Sequence, residues 1–165
     1  MKNAAIGLLI VAVGGLGIFA YSQQMSLRAQ SDVVEKLTAK LEAKARDFSL
    51  QEKCAKQARV EFERWGYAKE AFADLTNHYN ERLNKCFLAL ETRSADKSGS
   101  YINKFLADAY EGKQYAEYSW FNPSGSGQKF WEVAPDSCKV TMQSGQEITC
   151  KSSEEYDELI KFYME

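Results

Sequence analysis

Residues 138–150 read CKVTMQSGQEITC, and the reading of this stretch decides the fold. Ser144 lies at its midpoint, and Gly145 offers the left-handed conformation that a three-residue hairpin turn requires. Folding the chain about Ser144 sets Met142 against Gln146, Val140 against Ile148 and Cys138 against Cys150. The stretch therefore predicts two antiparallel strands. Facing residues in such a ladder have Cβ atoms about 4.5–5.5 Å apart, and a modest adjustment reaches the ~3.8 Å of a disulfide.

The pattern continues on both sides. Ser152-Ser153-Glu154-Glu155 is a Ser-x-x-Glu capping box, which opens a helix. Tyr156, Leu159, Ile160 and Tyr163 follow at i, i+3, i+4 and i+7, the stripe with which that helix should pack on the sheet. Upstream, Gln114 to Phe121 alternates as a strand, with Ala116, Tyr118 and Trp120 on one side and Tyr115, Glu117 and Ser119 on the other. Asn122 to Lys129 is a loop by composition. Phe130 to Val133 reads as a returning strand, with Trp120 and Phe121 opposite Trp131 and Phe130 in a second hairpin.

Further upstream, Glu111-Gly112-Lys113 is a turn, and Tyr101 to Tyr110 is either a short helix or a strand. Ser94 to Ser100 is a polar loop. Leu83 to Arg93 alternates as a strand of a half-buried sheet, with Cys86, Leu88 and Leu90 on one face and Phe87, Ala89 and Glu91 on the other, although LNKCFLALE also suits a helix. Tyr67 to Tyr79 is ambiguous, and Ala68–Leu75 suits a short helix. Cys54, Ala58, Phe62 and Trp65 share a helix face, and Gly66 offers the stop. The expected fold class is α+β: a small antiparallel sheet with packed helices, preceded by a long N-terminal helix.

That long helix is predicted because no Gly or Pro occurs between Gly17 and Gly66. Leu27, Val34, Leu41 and Phe48 repeat every seven residues, but the complementary row is Gln30, Leu37, Lys44 and Gln51. A stable coiled coil wants both rows apolar. Asp32–Lys36 and Glu42–Arg46 add i,i+4 ion pairs worth about a few tenths of a kcal/mol each. Residues 22–53 thus read as a stalk. It is either a spacer that self-associates weakly at most, or a solvated helix whose narrow stripe rests on the following domain.

Residues 4–21, AAIGLLIVAVGGLGIFAY, carry no charge. As a helix they would span roughly 27 Å, close to the ~30 Å of a bilayer's hydrocarbon core. An uncleaved anchor is the expectation. The rival is a cleaved signal peptide, for which Ile18-Phe19-Ala20 is a poor cleavage site. Lys2 and the amino terminus favour an N-inside orientation, which places the rest of the chain in the periplasm or outside the cell. The expected domains are residues 1–21 as membrane anchor, 22–53 as stalk and 54–165 as head.

An extracytoplasmic head implies oxidised cysteines. Four cysteines permit three connectivities. The hairpin selects Cys138–Cys150 and leaves Cys54 to Cys86. The alternatives are free buried thiols, or a zinc site, which usually shows close Cys pairs that this chain lacks.

Charge and composition exclude several functions. Residues 54–165 hold 14 Lys and Arg against 18 Asp and Glu, so the head is acidic and lacks a nucleic-acid footprint. The single histidine, His78, is the one candidate for a Cys–His or Ser–His pair. GSGQK at 125–129 lacks the spacing of a phosphate-binding loop. No catalytic, metal or cofactor residue is assigned. Tyr118, Trp120, Phe130 and Trp131 are a candidate partner surface, or else the core of a small sheet.

Cys54-x-x-Gln57-Ala58-x-x-x-Phe62-x-x-x-Gly66-Tyr67, Asn77-His78-Tyr79-Asn80-x-x-Leu83-Asn84-Lys85-Cys86-Phe87 and Asp108-Ala109-x-Glu111-Gly112-Lys113-x-Tyr115-Ala116 form a combined pattern. It resembles a group of uncharacterised exported or lipoprotein-like bacterial domains over roughly residues 54–120. The resemblance implies a bacterial cell-envelope setting and no known activity. This chain departs from the group by carrying an apolar segment and stalk where they have a lipid-attachment Cys. The expected role is a membrane-anchored, non-enzymatic envelope domain that binds a protein or a small molecule. The alternatives are a subunit of an envelope assembly, or an envelope hydrolase using His78 with a carboxylate.

Overall fold

The computed structural model describes the backbone of residues 2–70, 72–129 and 132–165, and their side chains apart from those of residues 2–22, 26 and 29. The chain is α+β. Helix α1 spans Lys2–Arg64, and six strands follow: β1 (Ala73–Asn80), β2 (Lys85–Ala95), β3 (Gly99–Asp108), β4 (Gln114–Pro123), β5 (Ser137–Thr141) and β6 (Glu147–Thr149). Helix α2 (Ser153–Met164) ends the chain. The strands form one sheet in sequence order, each antiparallel to its neighbour. The chain divides into two units, Met1–Arg46 and Asp47–Glu165.

The first unit is helical. Met25, Leu27, Val33, Val34, Leu37 and Leu41 are all exposed. Among the described residues no helix is long and apolar enough to cross a membrane. The expected anchor, residues 4–21, lies outside the residues whose side chains are described.

In the second unit the sheet is covered on both faces. Cys54, Ala58 and Phe62 of α1 meet Cys86, Leu88 and Leu90 of β2 on one face. Tyr156, Ile160 and Tyr163 of α2 meet Phe87, Leu106, Ala116, Tyr118 and Trp120 on the other. The half-buried sheet expected around Leu83–Arg93 is therefore corrected. Phe87 and Leu88 are neighbours on opposite faces, and both are fully buried. Each such side chain contributes about 1.5–3 kcal/mol relative to exposure.

Local signals place the ends of this unit. Gly66, at φ 87°, follows the end of α1. The hairpin forms about Ser144, with Val140 opposite Ile148 and Met142 N donating to Gln146 O at 2.7 Å. At α2, Ser152 Oγ accepts from Glu155 N. Glu155 Oε2 returns to accept from Lys151 N at 2.8 Å, one residue before the expected backbone donor.

Other expectations are corrected. The suggested helix over Ala68–Leu75 gives way to a 3-10 turn at Tyr67–Lys69 and then β1. Asp74, Thr76 and Asn77 are poor helix formers, while Ala73, Leu75 and Tyr79 pack toward α1 with strand periodicity. Tyr101–Tyr110 is resolved as strand through Asp108. Of the returning strand expected at Phe130–Val133, the described residues Glu132 and Val133 are not strand. Trp120 lies opposite Ile102 and Phe121 opposite Tyr101 on β3, and the other neighbour of β4 is β5. Glu132 N closes a turn onto Lys129 O, and Val133 O accepts from Trp120 Nε1 at 3.0 Å. Phe130 and Trp131 lie outside the described residues.

The second unit begins at Asp47, and one side chain near its start meets the edge of the sheet. Gln51 Oε1 accepts from Tyr79 N at 2.8 Å. Its Nε2 donates to Asn77 Oδ1 at 3.2 Å and, more weakly, to Asn77 O at 3.5 Å. A side-chain amide thus occupies backbone groups that an edge strand otherwise offers to a second chain.

Cys54 is bonded to Cys86, and Cys138 to Cys150, with Cα–Cα distances of 5.3 and 5.1 Å. The first joins α1 to β2 and the second brackets β5 and β6. Replacing Cys54 by Ser should destabilise the fold by about 2–4 kcal/mol in urea unfolding. The newly labelled thiol should be Cys86, with Cys138 and Cys150 protected. A second residue shows the opposite logic. The Tyr156 hydroxyl is buried without a hydrogen-bond partner among the described residues. Tyr156→Phe should hold stability constant or raise it by up to about 1 kcal/mol, because it removes an unsatisfied donor and keeps the ring. A lower unfolding midpoint would reveal a partner for that hydroxyl.

Candidate functional site

Three connections of the sheet fall at one end: 81–84 between β1 and β2, 109–113 between β3 and β4, and 142–146 between β5 and β6. The last turn of α2 ends there too. Asn80 ties these parts together. It is 1% exposed. Its Nδ2 donates to Phe162 O and Tyr163 O at 3.0 and 3.2 Å, and its Oδ1 accepts from Leu83 N at 3.1 Å. The side chain thereby satisfies carbonyls that a helix C-terminus leaves open and fixes the adjoining turn. Asn84 completes that turn at φ 50°, a conformation Asn tolerates better than most residues.

Asp108 organises the next connection. Its Oδ1 accepts from Tyr110 N and Glu111 N at 2.8 and 3.1 Å, and its Oδ2 accepts from Lys85 Nζ at 2.8 Å. Burial alone would raise the Asp108 pKa, but the Lys85 ammonium and the two amides outweigh it and hold the carboxyl below its ordinary value. Burial likewise works against the Lys85 charge, but Asp108 and Glu111 outweigh it and hold its pKa above that of a free lysine.

Between these turns lies a cavity of about 280 Å³. Its wall is a triangle of rings, Phe87, Tyr115 and Tyr163, with centroids 5.0, 5.3 and 5.4 Å apart. Strict alternation puts Tyr115 on the face opposite Ala116. A register shift between Leu106 and Ala107 breaks the alternation, and Tyr115 joins Ala116 in the α2-side cluster. Bulges re-aim side chains in this way. The Tyr163 hydroxyl donates to Thr141 O at 2.6 Å. Its pKa is pushed up by burial and by Tyr115.

The charged lining is entirely basic: Arg82, Lys85 and Lys113. Lys85 is neutralised by Asp108 and Glu111. Arg82 lies 5.1 Å from the Phe162 ring centroid and donates weakly to Phe162 O at 3.4 Å. Lys113 lies 5.0 Å from the Tyr115 centroid. Neither makes an ion pair among the described residues.

The residues singled out in the sequence lie elsewhere. Tyr118 and Trp120 are 5% and 6% exposed and belong to the core, so they form no open partner surface. His78 sits on β1 opposite Phe87, and its side chain makes no hydrogen bond or ion pair among the described residues. GSGQK lies in the connection from β4 to β5. The sequence reading places Arg82, Asn80 and Lys113 at no site. The period-two reading of 114–121 misplaces Tyr115, and the convergence of three turns has no local signal. No protein-family model, no curated protein and no solved structure matches the chain.

Asp108 yields a pH prediction. Its carboxyl has a folded-state pKa below the unfolded value of about 3.9, so its stabilisation is present above that value and is lost as pH falls through the folded one. Urea midpoints measured from pH 7 down to about pH 3 should fall less steeply for Asp108→Asn than for the wild-type chain. Parallel profiles would remove Asp108 from the account.

Proposed function

We propose that the chain is a membrane-anchored, extracytoplasmic binding module of the cell envelope. The observation that carries this reading is the cysteine usage: all four cysteines are paired, and none is free. Stable structural disulfides form and persist in oxidising compartments. The uncharged run at residues 4–21 supports an anchor, and the resemblance of residues 54–120 to exported bacterial domains supports an envelope setting. In this reading the N-terminus is cytoplasmic, residues 22–46 act as a spacer, and the disulfide-bonded unit is displayed outside. The cavity between the turns supports binding. Its basic groups are set against aromatic rings.

Protease added to spheroplasts should degrade the 47–165 unit while a cytoplasmic control stays intact. A unit that survives while a periplasmic control is degraded overturns the topology. The mass of the mature chain should retain its first twenty residues, whereas an N-terminus at Tyr21 would replace the anchor with a cleaved signal.

A further inference from the structure

The geometry points to the ligand class of the cavity: a small organic monoanion with a flat apolar body, such as an aromatic carboxylate. This deepens the binding-module reading and rests on it. Three observations converge. The cavity holds about 280 Å³, near the lower end of small-molecule sites, so it suits a compact ligand. Its wall offers the partly exposed Tyr115 ring, flanked by Leu83 and Met142, to a planar apolar group, with Phe87 and Tyr163 packed behind Tyr115. Its rim carries two cations without carboxylate partners, Arg82 and Lys113, in a region that is acidic overall.

The placement of these groups favours a ligand over an accident of the surface. The bulge beside Ala107 brings Tyr115 into the wall, at the expense of regular pairing. Asn80 holds the 81–84 turn through Leu83 N and Asp108 holds the 109–113 turn through Tyr110 N and Glu111 N, so Arg82 and Lys113 start from fixed backbone. Arg82 has donors to spare, because its one hydrogen bond is the weak contact with Phe162 O. It suits two-point recognition of a carboxylate, with Lys113 as a second point charge. Lys85 contributes less to an incoming anion, since Asp108 and Glu111 already occupy it.

The test uses the full chain in detergent and benzoate as the probe, followed by titration calorimetry. Benzyl alcohol is the neutral control, and inorganic phosphate is the anion without an apolar body. Benzoate should bind saturably, with neither control matching it. Arg82→Ala and Lys113→Ala should each weaken binding by about tenfold, and Lys97→Ala, at the opposite end of the sheet, should not. Tyr115→Ala should weaken benzoate without strengthening phosphate. Equal affinity in the charge variants overturns the proposal, as does phosphate binding as tightly as benzoate, or no saturation by about 10 mM benzoate. Each variant's unfolding midpoint is checked against the wild-type, and Arg82→Lys and Lys113→Arg should recover part of the affinity. Benzoate binding by a chain whose 47–165 unit faces the cytoplasm would retain the ligand class and reject the envelope reading. An external unit without benzoate binding would do the reverse.

Discussion

The sheet has two apolar faces, and the rest of the structure follows from the need to cover both. β2 cannot leave either side in water, because Phe87 and Leu88 are adjacent and point opposite ways. The cover on one side is the end of α1, and on the other it is α2. α2 has 12 residues, at or below the length at which an isolated helix is marginal in water. Its stability is tertiary: a buried stripe, a capped N-terminus and carbonyls bound by Asn80. The two disulfides act on this same requirement. Cys54–Cys86 fixes the α1 cover to β2, and Cys138–Cys150 closes the hairpin three residues before α2 begins.

Charges inside this arrangement are placed where several partners reach them. Lys104 is 8% exposed, yet its ammonium meets both oxygens of Asp157 at 2.9 Å and Glu91 at 3.3 Å. The pair joins β3 to α2 across the covered face. Breaking a buried ion pair is costly chiefly because one charge is left unpaired. Here Asp157 and its neighbours retain solvent access, so the ammonium is the member that depends on the contact. Asp108 is the mirror case: the carboxylate is buried, and three donors converge on it. Both residues lie on β3, which has sheet neighbours on both sides.

What the sequence made legible was what neighbouring residues determine. The hairpin about Ser144, the cap at Ser152 and the Cys54–Ala58–Phe62 face each depend on spacings of a few residues. The strand at Ala73–Asn80 was harder, because polar residues interrupt its alternation and its apolar positions are only partly buried. The pairing of β4 was misread for a physical reason. Symmetry of aromatic residues about a loop favours a hairpin, but β5 supplies a partner through four residue pairs, Ser119 to Ala116 against Ser137 to Val140. Trp120 then finds its polar partner in Val133 O without a ladder. The candidate site was least legible of all. Arg82, Lys113, Tyr115 and Tyr163 come from four connections or elements separated by up to half the chain, and one irregular register step decides where Tyr115 goes.

The same contrast bears on how a site arises at the turn end of the sheet. Side chains in the middle of β2 and β3 are committed to the two helices, so they have little freedom to change without loss of packing. At the end with the 81–84, 109–113 and 142–146 connections, the covering helix α2 stops, and the partly exposed Tyr115 ring borders a cavity instead of a full core layer. Tight turns keep their residues close to that border. Arg82 and Lys113 therefore occupy positions that the fold requires to be solvated but does not require to be basic. Their charge is the variable part of the site, and the backbone that presents it is the fixed part, held by Asn80 on one turn and Asp108 on the next.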